Sequence, residues 1–134
     1  MSIPVELASL AEVMERYRFA YLLTNNADAA PHAVAVMPAL DGAVLVLDGV
    51  GRRSRENLLA QPAVGLLWPP HDVAEYSLIV DGQAAMDGDR LRITPTRALL
   101  HRPARRLAPT GSGHCGSDCS ELPVPPAAEP LSSR

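Results

Sequence analysis

From about residue 19 onward, short apolar runs alternate with turn-forming residues, and this rhythm limits the chain to a small set of folds. Each run has the length of a β-strand, and none approaches the length of a membrane-spanning helix. The pairs Asp41-Gly42 and Asp87-Gly88 are typical of tight hairpin turns, and Asn25–Asp28 can form a longer polar loop. The pattern therefore predicts a mainly β domain with an antiparallel sheet of six strands, at Phe19–Thr24, His32–Ala39, Ala43–Asp48, Val64–Trp68, Tyr76–Met86 and Arg90–Thr94.

Two helices are predicted beside these strands. The first runs from Pro4 to about Tyr17, where apolar residues recur at helical spacing. The second lies within Arg52–Gln61, where Ser54 can cap the helix and Pro62 stops it.

The chain of 134 residues has the size of a single domain followed by a tail. After Pro103 the composition shifts to proline, serine, glycine and alanine, which favour no packed element. We expect residues 1–103 to form the domain and residues 104–134 to form a mobile tail. His114, Cys115 and Cys119 in this tail are potential zinc ligands, but three ligands do not complete a tetrahedral site, so we predict no metal and leave their role open.

The charge distribution excludes some chemistries. All basic side chains are arginine, because the sequence contains no lysine, and Schiff-base catalysis by lysine is therefore excluded. A formal net charge of −3 and 4% aromatic residues argue against a nucleic-acid partner, despite an arginine cluster from Arg90 to Arg106. The N-terminal residues have no pattern of a secretion signal, and we expect a cytoplasmic protein without a membrane partner.

Three sequence pieces in a fixed order carry a family resemblance. They are Pro31-His32 at the start of the second predicted strand, Arg53–Leu58 after the third, and Gln61–Val64 leading into the fourth. In this order the chain resembles the pyridoxamine 5′-phosphate oxidase-like superfamily, over roughly Leu7 to Pro103. The resemblance implies a six-stranded antiparallel split β-barrel with flanking helices, which binds FMN and works as a homodimer.

The resemblance also implies where the cofactor lies. In the superfamily the phosphate is held just after the third strand, and the flavin ring lies across the second and third strands at the dimer interface. A helix start, an arginine fork and a serine hydroxyl are physically suited to phosphate. The implied cofactor-binding residues are Arg53 as first choice, with Ser54, Arg52, Asn57, Gly51, Val34, Val36, Asp48 and Trp68.

This sequence departs from the superfamily pattern at two of these positions. Ser54 stands where relatives often have lysine, and Asp48 stands where they often have a hydroxyl residue. Both changes reduce the positive potential around a phosphate.

Each assignment has a structural alternative. The arginines at 52, 53 and 55 could form a solvated helix face, and Arg55 in particular is expected to stay in solvent. Val34 and Val36 could belong to the core as well as to a flavin-facing wall. Trp68 could stack on the cofactor, seal a dimer interface or pack in the core.

The function predicted from the resemblance is an FMN-binding oxidoreductase acting on an unidentified small molecule. A deazaflavin-dependent reductase is one alternative, and a non-catalytic carrier of flavin or tetrapyrrole is another. We assign no catalytic residue, because a flavin performs hydride or electron transfer itself and the protein supplies binding and orientation.

Overall fold

Eight antiparallel strands form one sheet in a computed structural model that describes residues 1–104 of the chain. Residues Met1–Pro103 make up one compact unit. In chain order the elements are β1 (Ser2–Pro4), a 3-10 turn (Leu7–Ser9), α1 (Leu10–Met14), β2 (Ala20–Asn25), β3 (Pro31–Val36), β4 (Ala39–Asp41), β5 (Val44–Asp48), α2 (Arg52–Ala60), β6 (Ala63–Trp68), β7 (Ser77–Asp87) and β8 (Arg90–His101).

The strand order shows how distant parts of the chain meet. It runs β3-β2-β6-β7-β8-β5-β4, with β1 added on β8. The twelve-residue β8 pairs with β7 along most of its length, with β5 near its start and with β1 near its end. This strand therefore joins the β4–β5 hairpin to the rest of the sheet.

The core lies on one side of the strands and follows their two-residue period. In β2, Ala20, Leu22 and Thr24 are buried whereas the residues between them are exposed. Leu58 of α2 and Leu10 of α1 are buried in the same core. The core cluster also includes Val13, Leu45, Leu47, Val64, Leu66, Trp68, Leu78, Val80, Ala84, Leu91, Ile93 and Ala98.

The mainly antiparallel β architecture is confirmed, with three differences in its strands. The predicted second strand is split into β3 and β4 around Met37-Pro38, where proline lacks the N–H needed to continue a ladder. The last predicted strand continues as far as His101, because β7 offers it a partner along that whole length. The short β1 is an addition that the sequence pattern did not reveal.

The prediction of a continuous N-terminal helix from Pro4 to Tyr17 is wrong. The first residues pair with the end of β8, and the backbone N–H of Val5 donates to the carbonyl of Ala98 at 2.9 Å. Only a 3-10 turn and the five-residue α1 remain helical. Pairing with β8 is thus favoured over a local helix, because it satisfies the backbone hydrogen-bonding groups of residues 2–5.

The second helix forms where it was predicted, but its cap differs. Gly51 is the N-cap residue, and Ser54 lies inside the first turn without capping it. The helix ends at Ala60, with Gln61 as its C-cap before Pro62.

Within residues 1–104 no helix is long and apolar enough to cross a membrane, and no cluster of His, Cys, Asp or Glu is arranged to hold a metal ion. The predicted tail, with His114, Cys115 and Cys119, lies outside the described residues.

A β-bulge between Asp81 and Gly82 offsets the pairing of β7 with β8. A Cβ on Gly82 would lie 2.6 Å from a methyl carbon of Ile93 and 2.7 Å from the carbonyl oxygen of Thr94. The second contact is with backbone in the paired strand, so the clash cannot be relieved by a side-chain rotation.

We therefore expect Gly82→Ala to lower the free energy of unfolding by about 1–3 kcal/mol, the usual cost of overpacking a core. Gly65→Ala in β6 is the matched control, because a Cβ there finds nothing closer than 3.7 Å. Urea unfolding of both variants measures the difference. Equal stability of the two variants would contradict the predicted clash.

Candidate functional site

A groove of about 400 Å³ lies between β3 and β5. These are the strands across which the sequence resemblance places the flavin ring, and they correspond to the second and third strands predicted from sequence. The lining residues are Val34, Ala35, Val36, Met37, Ala39, Val46, Leu47, Asp48, Gly49, Val50, Gly51 and Arg90.

Apolar side chains form most of the groove wall. Val34 is 38% exposed and Met37 is 77% exposed, so both side chains are accessible from the groove side of β3 and the residues that follow it. Val36 lines the groove and also packs partly against the core. The wall offers a flat aromatic ligand an apolar surface that water otherwise covers.

The groove ends at the start of α2. Gly49 has a φ of +72°, a backbone conformation that favours glycine, and it turns the chain from β5 toward the helix. Gly51 lines the groove and is also the N-cap of α2. The first turn contains no acidic residue, and no side chain caps it, so its backbone N–H groups are available to an anion at this end of the groove.

Two arginines occupy the first turn of this helix, where the helix dipole disfavours positive charge. Arg52 lies 3.9 Å from Glu56 in a largely exposed ion pair. Arg53 is exposed and forms no ion pair with any residue described by the structure. Neither arginine lines the groove itself, although both follow Gly51, which does.

Arg55 differs from the prediction that it stays in solvent. It is only partly exposed, and its Nε atom is buried without a hydrogen-bond acceptor among residues 1–104. Part of the Arg55 side chain therefore lies against the body of the domain.

Ser54 and Asn57, both predicted to contact the cofactor, face the protein interior. Ser54 is 2% exposed, so its hydroxyl is not presented to the groove. The side-chain amide of Asn57 is also buried, and it donates a hydrogen bond of 3.0 Å to Oγ1 of Thr24. Asn57 thus connects α2 to β2, a structural role that corrects the interpretation from sequence.

Trp68 is likewise part of the interior. It is 2% exposed at the end of β6 and belongs to the hydrophobic core. Of the three interpretations of this residue, core packing is the one that its burial fits. Its ring does not contribute to the groove in the folded monomer.

Asp48 and Arg90, which both line the groove, form a solvent-exposed ion pair. Arg90 Nε donates to Asp48 Oδ1 at 3.0 Å, and Arg90 Nη2 lies 3.4 Å from Asp48 Oδ2. The hydrogen bond to Asp48 is the main cause that raises the pKa of Arg90 above its ordinary value. Asp48 was predicted to lie at the site, whereas Arg90 was placed only in a general arginine cluster.

Two other cavities of about 310 and 370 Å³ are also present in the described domain. Neither contains a residue predicted to bind the cofactor. The groove between β3 and β5 is the candidate site because it combines an apolar wall, a free helix start and the predicted residues Val34, Val36, Asp48 and Gly51.

No protein-family model matches the chain. Two uncharacterised proteins, one from Mycobacterium bovis and one from Mycobacterium tuberculosis, are each 42% identical to it over 137 residues. Each alignment covers 90% of this chain and 96% of the mycobacterial protein.

Solved structures share the fold at lower identity. A candidate pyridoxamine 5′-phosphate oxidase from Listeria innocua has a TM-score of 0.60 and 17% identity, covering 70% of this chain and 96% of that chain. An FAD-binding protein from Mesorhizobium loti has a TM-score of 0.59 and 17% identity, with 75% and 96% covered. An F420 reductase has a TM-score of 0.53 and 22% identity, with 65% and 93% covered.

The strand arrangement and these likenesses agree with the resemblance read from the sequence. The chain belongs to the family of the two mycobacterial proteins, and its mainly antiparallel sheet has the split-barrel fold of these solved structures.

Proposed function

We propose that this protein binds a flavin-type cofactor in the groove between β3 and β5 and acts as an oxidoreductase on a small molecule. FMN is the first choice of cofactor. The observation that carries the proposal is the junction of an apolar groove with an uncapped helix start whose Arg53 has no ion pair among residues 1–104.

The donor set at this junction fits a phosphate. A phosphate accepts hydrogen bonds from backbone N–H groups at a helix start, and the same end of the helix dipole attracts its negative charge. Arg53 adds a planar fork of N–H donors that suits phosphate oxygens. An anion would also relieve the unfavourable placement of two arginines beside the positive end of the helix dipole.

The apolar wall fits a flavin ring. Val34 and Met37 are exposed in the free domain, and a planar ring lying on them would remove apolar surface from water. When bound, a flavin supplies hydride or electron transfer by itself. The groove residues then bind and orient the ring and exclude water from its face.

The structural neighbours support a flavin-type cofactor, but they differ in which one. One is named an FAD-binding protein and another an F420 reductase. A deazaflavin coenzyme therefore remains the second candidate cofactor. A non-catalytic carrier of flavin or tetrapyrrole remains the alternative function, and a cytoplasmic location remains a prediction.

Absorption spectra of the purified protein, titrated separately with FMN and a deazaflavin coenzyme, test the proposal most directly. We expect a shifted flavin spectrum with FMN and full reduction of the bound flavin by a chemical reductant. Reoxidation by an added small-molecule acceptor would indicate an enzyme, whereas a tightly bound flavin that no acceptor reoxidises would indicate a carrier. Binding of neither coenzyme would contradict the proposal.

A second prediction concerns the phosphate. If Arg53 binds it, Arg53→Ala should weaken FMN binding by about one to two orders of magnitude, because a charge-assisted hydrogen bond is lost. Riboflavin has no phosphate, so its affinity should hardly change. Fluorescence titration of both ligands gives the comparison.

Arg97→Ala is the matched control for this experiment. Arg97 is an exposed arginine on β8 that pairs with Asp81 at 2.9 Å and is not part of α2. An equal loss of FMN and riboflavin affinity in Arg53→Ala, or an equal loss of FMN affinity in both variants, would remove the phosphate assignment.

We also propose that the functional unit is a homodimer. In one protomer the groove is open, and β3 lies at the edge of the sheet with exposed apolar residues on it and beside it. Tyr21 and Leu23 on the neighbouring β2 are 39% and 38% exposed, and they lie on the face of the sheet opposite to Val34. A second copy that covers both faces of this edge would bury the apolar surface and close the groove.

Analytical ultracentrifugation should then give a mass near twice 14.3 kDa. Leu23→Glu should shift the equilibrium toward monomer, because it introduces a charge into the proposed interface. Leu59→Glu, which alters an exposed apolar residue on α2, is the control and should leave the dimer intact. A monomeric wild-type protein that binds flavin tightly would overturn the dimer model.

A further inference from the structure

The ion pair between Asp48 and Arg90 lies at the end of the groove that is next to the start of α2. The two residues are directly opposite each other in the pairing of β5 with β8. Asp48 is the last residue of β5, and Gly49–Gly51 follow it to the start of α2. Arg90 therefore stands beside the same loop that leads to Arg53.

We propose that Arg90 is a second cation for the cofactor phosphate and that Asp48 is the residue that positions it. This inference rests on the proposed function and goes beyond it. The additional binding residue, Arg90, lies on β8 and is 42 residues away from Asp48 in the sequence.

The hydrogen-bond geometry supports this assignment. Asp48 engages Nε and Nη2 of Arg90, which leaves the Nη1 donors without a protein acceptor within residues 1–104. A guanidinium held on one side by a carboxylate is fixed in orientation, and its remaining donors can serve a second anion. Arg90 itself lines the groove, next to Asp48 and Gly49.

The ion pair also changes the electrostatic effect that Asp48 would have on a phosphate. A free carboxylate beside a phosphate would repel it, which is why this residue counted against phosphate binding in the sequence. In the structure the charge of Asp48 is balanced by Arg90, so Asp48 does not add an uncompensated negative charge beside the groove.

Two other arginines on β8 also form ion pairs and can be compared with Arg90. Arg92 lies 3.8 Å from Asp41, and Arg97 lies 2.9 Å from Asp81. Neither arginine lines the groove. Arg92 lies on the same strand and the same side as Arg90, two residues further along, and is thus a control for loss of charge in the same region.

The test is the ratio of FMN to riboflavin affinity in Arg90→Gln and Arg92→Gln. We expect Arg90→Gln to weaken FMN binding about tenfold or more and to leave riboflavin binding nearly unchanged, because one charge-assisted contact to the phosphate is lost. Arg92→Gln should keep the wild-type ratio. Circular dichroism and thermal unfolding establish that both variants remain folded.

The outcomes distinguish this inference from the proposed function. If wild type prefers FMN over riboflavin and Arg90→Gln keeps that preference, the assignment of Arg90 is overturned and the flavin site stands. If both arginine variants lose FMN affinity equally, the effect is general electrostatics and the assignment is likewise overturned. If wild type binds neither flavin, both the site and the role of Arg90 are overturned.

Discussion

The antiparallel hydrogen bonding of β8 with three other strands is the interaction on which the candidate site depends. At its start β8 holds β5, and along its length it holds β7, which continues through β6 and β2 to β3. The groove has one wall on β3 and the other on β5, which lie far apart in the order of strands. The backbone ladder of β8 therefore fixes the distance between two walls that never pair with each other.

The charges at the start of α2 destabilise this helix when it is considered in isolation. Acidic residues are favoured in a first turn, yet this turn carries Arg52 and Arg53 and no acid. The helix is held instead by burial of Leu58 and by the hydrogen bond from Asn57 to Thr24. Tertiary packing thus permits a positively charged helix start that local preference disfavours, and a bound anion is the natural counterpart of such a start.

The same burial decides which polar residues of α2 remain accessible. Ser54, Asn57 and Leu58 lie on the side of the helix that packs on the sheet, whereas Arg52 and Arg53 point away from it. In the sequence all of these residues lie within one short segment and appear to form a single site. The helical rotation of about 100° per residue separates them into a buried face and an exposed face.

The sequence by itself determined the features that depend on local physics. Two-residue periodicity indicated the main strands, and Gly42 and Gly88 adopt the positive φ that their hairpin turns require. Only the tertiary structure decided that Arg90 faces Asp48, that Trp68 and Ser54 are buried, and that the N-terminus pairs as a strand. These features arise from contacts between residues far apart in the chain, whose energies depend on which strands become neighbours and leave no periodic signal in the sequence.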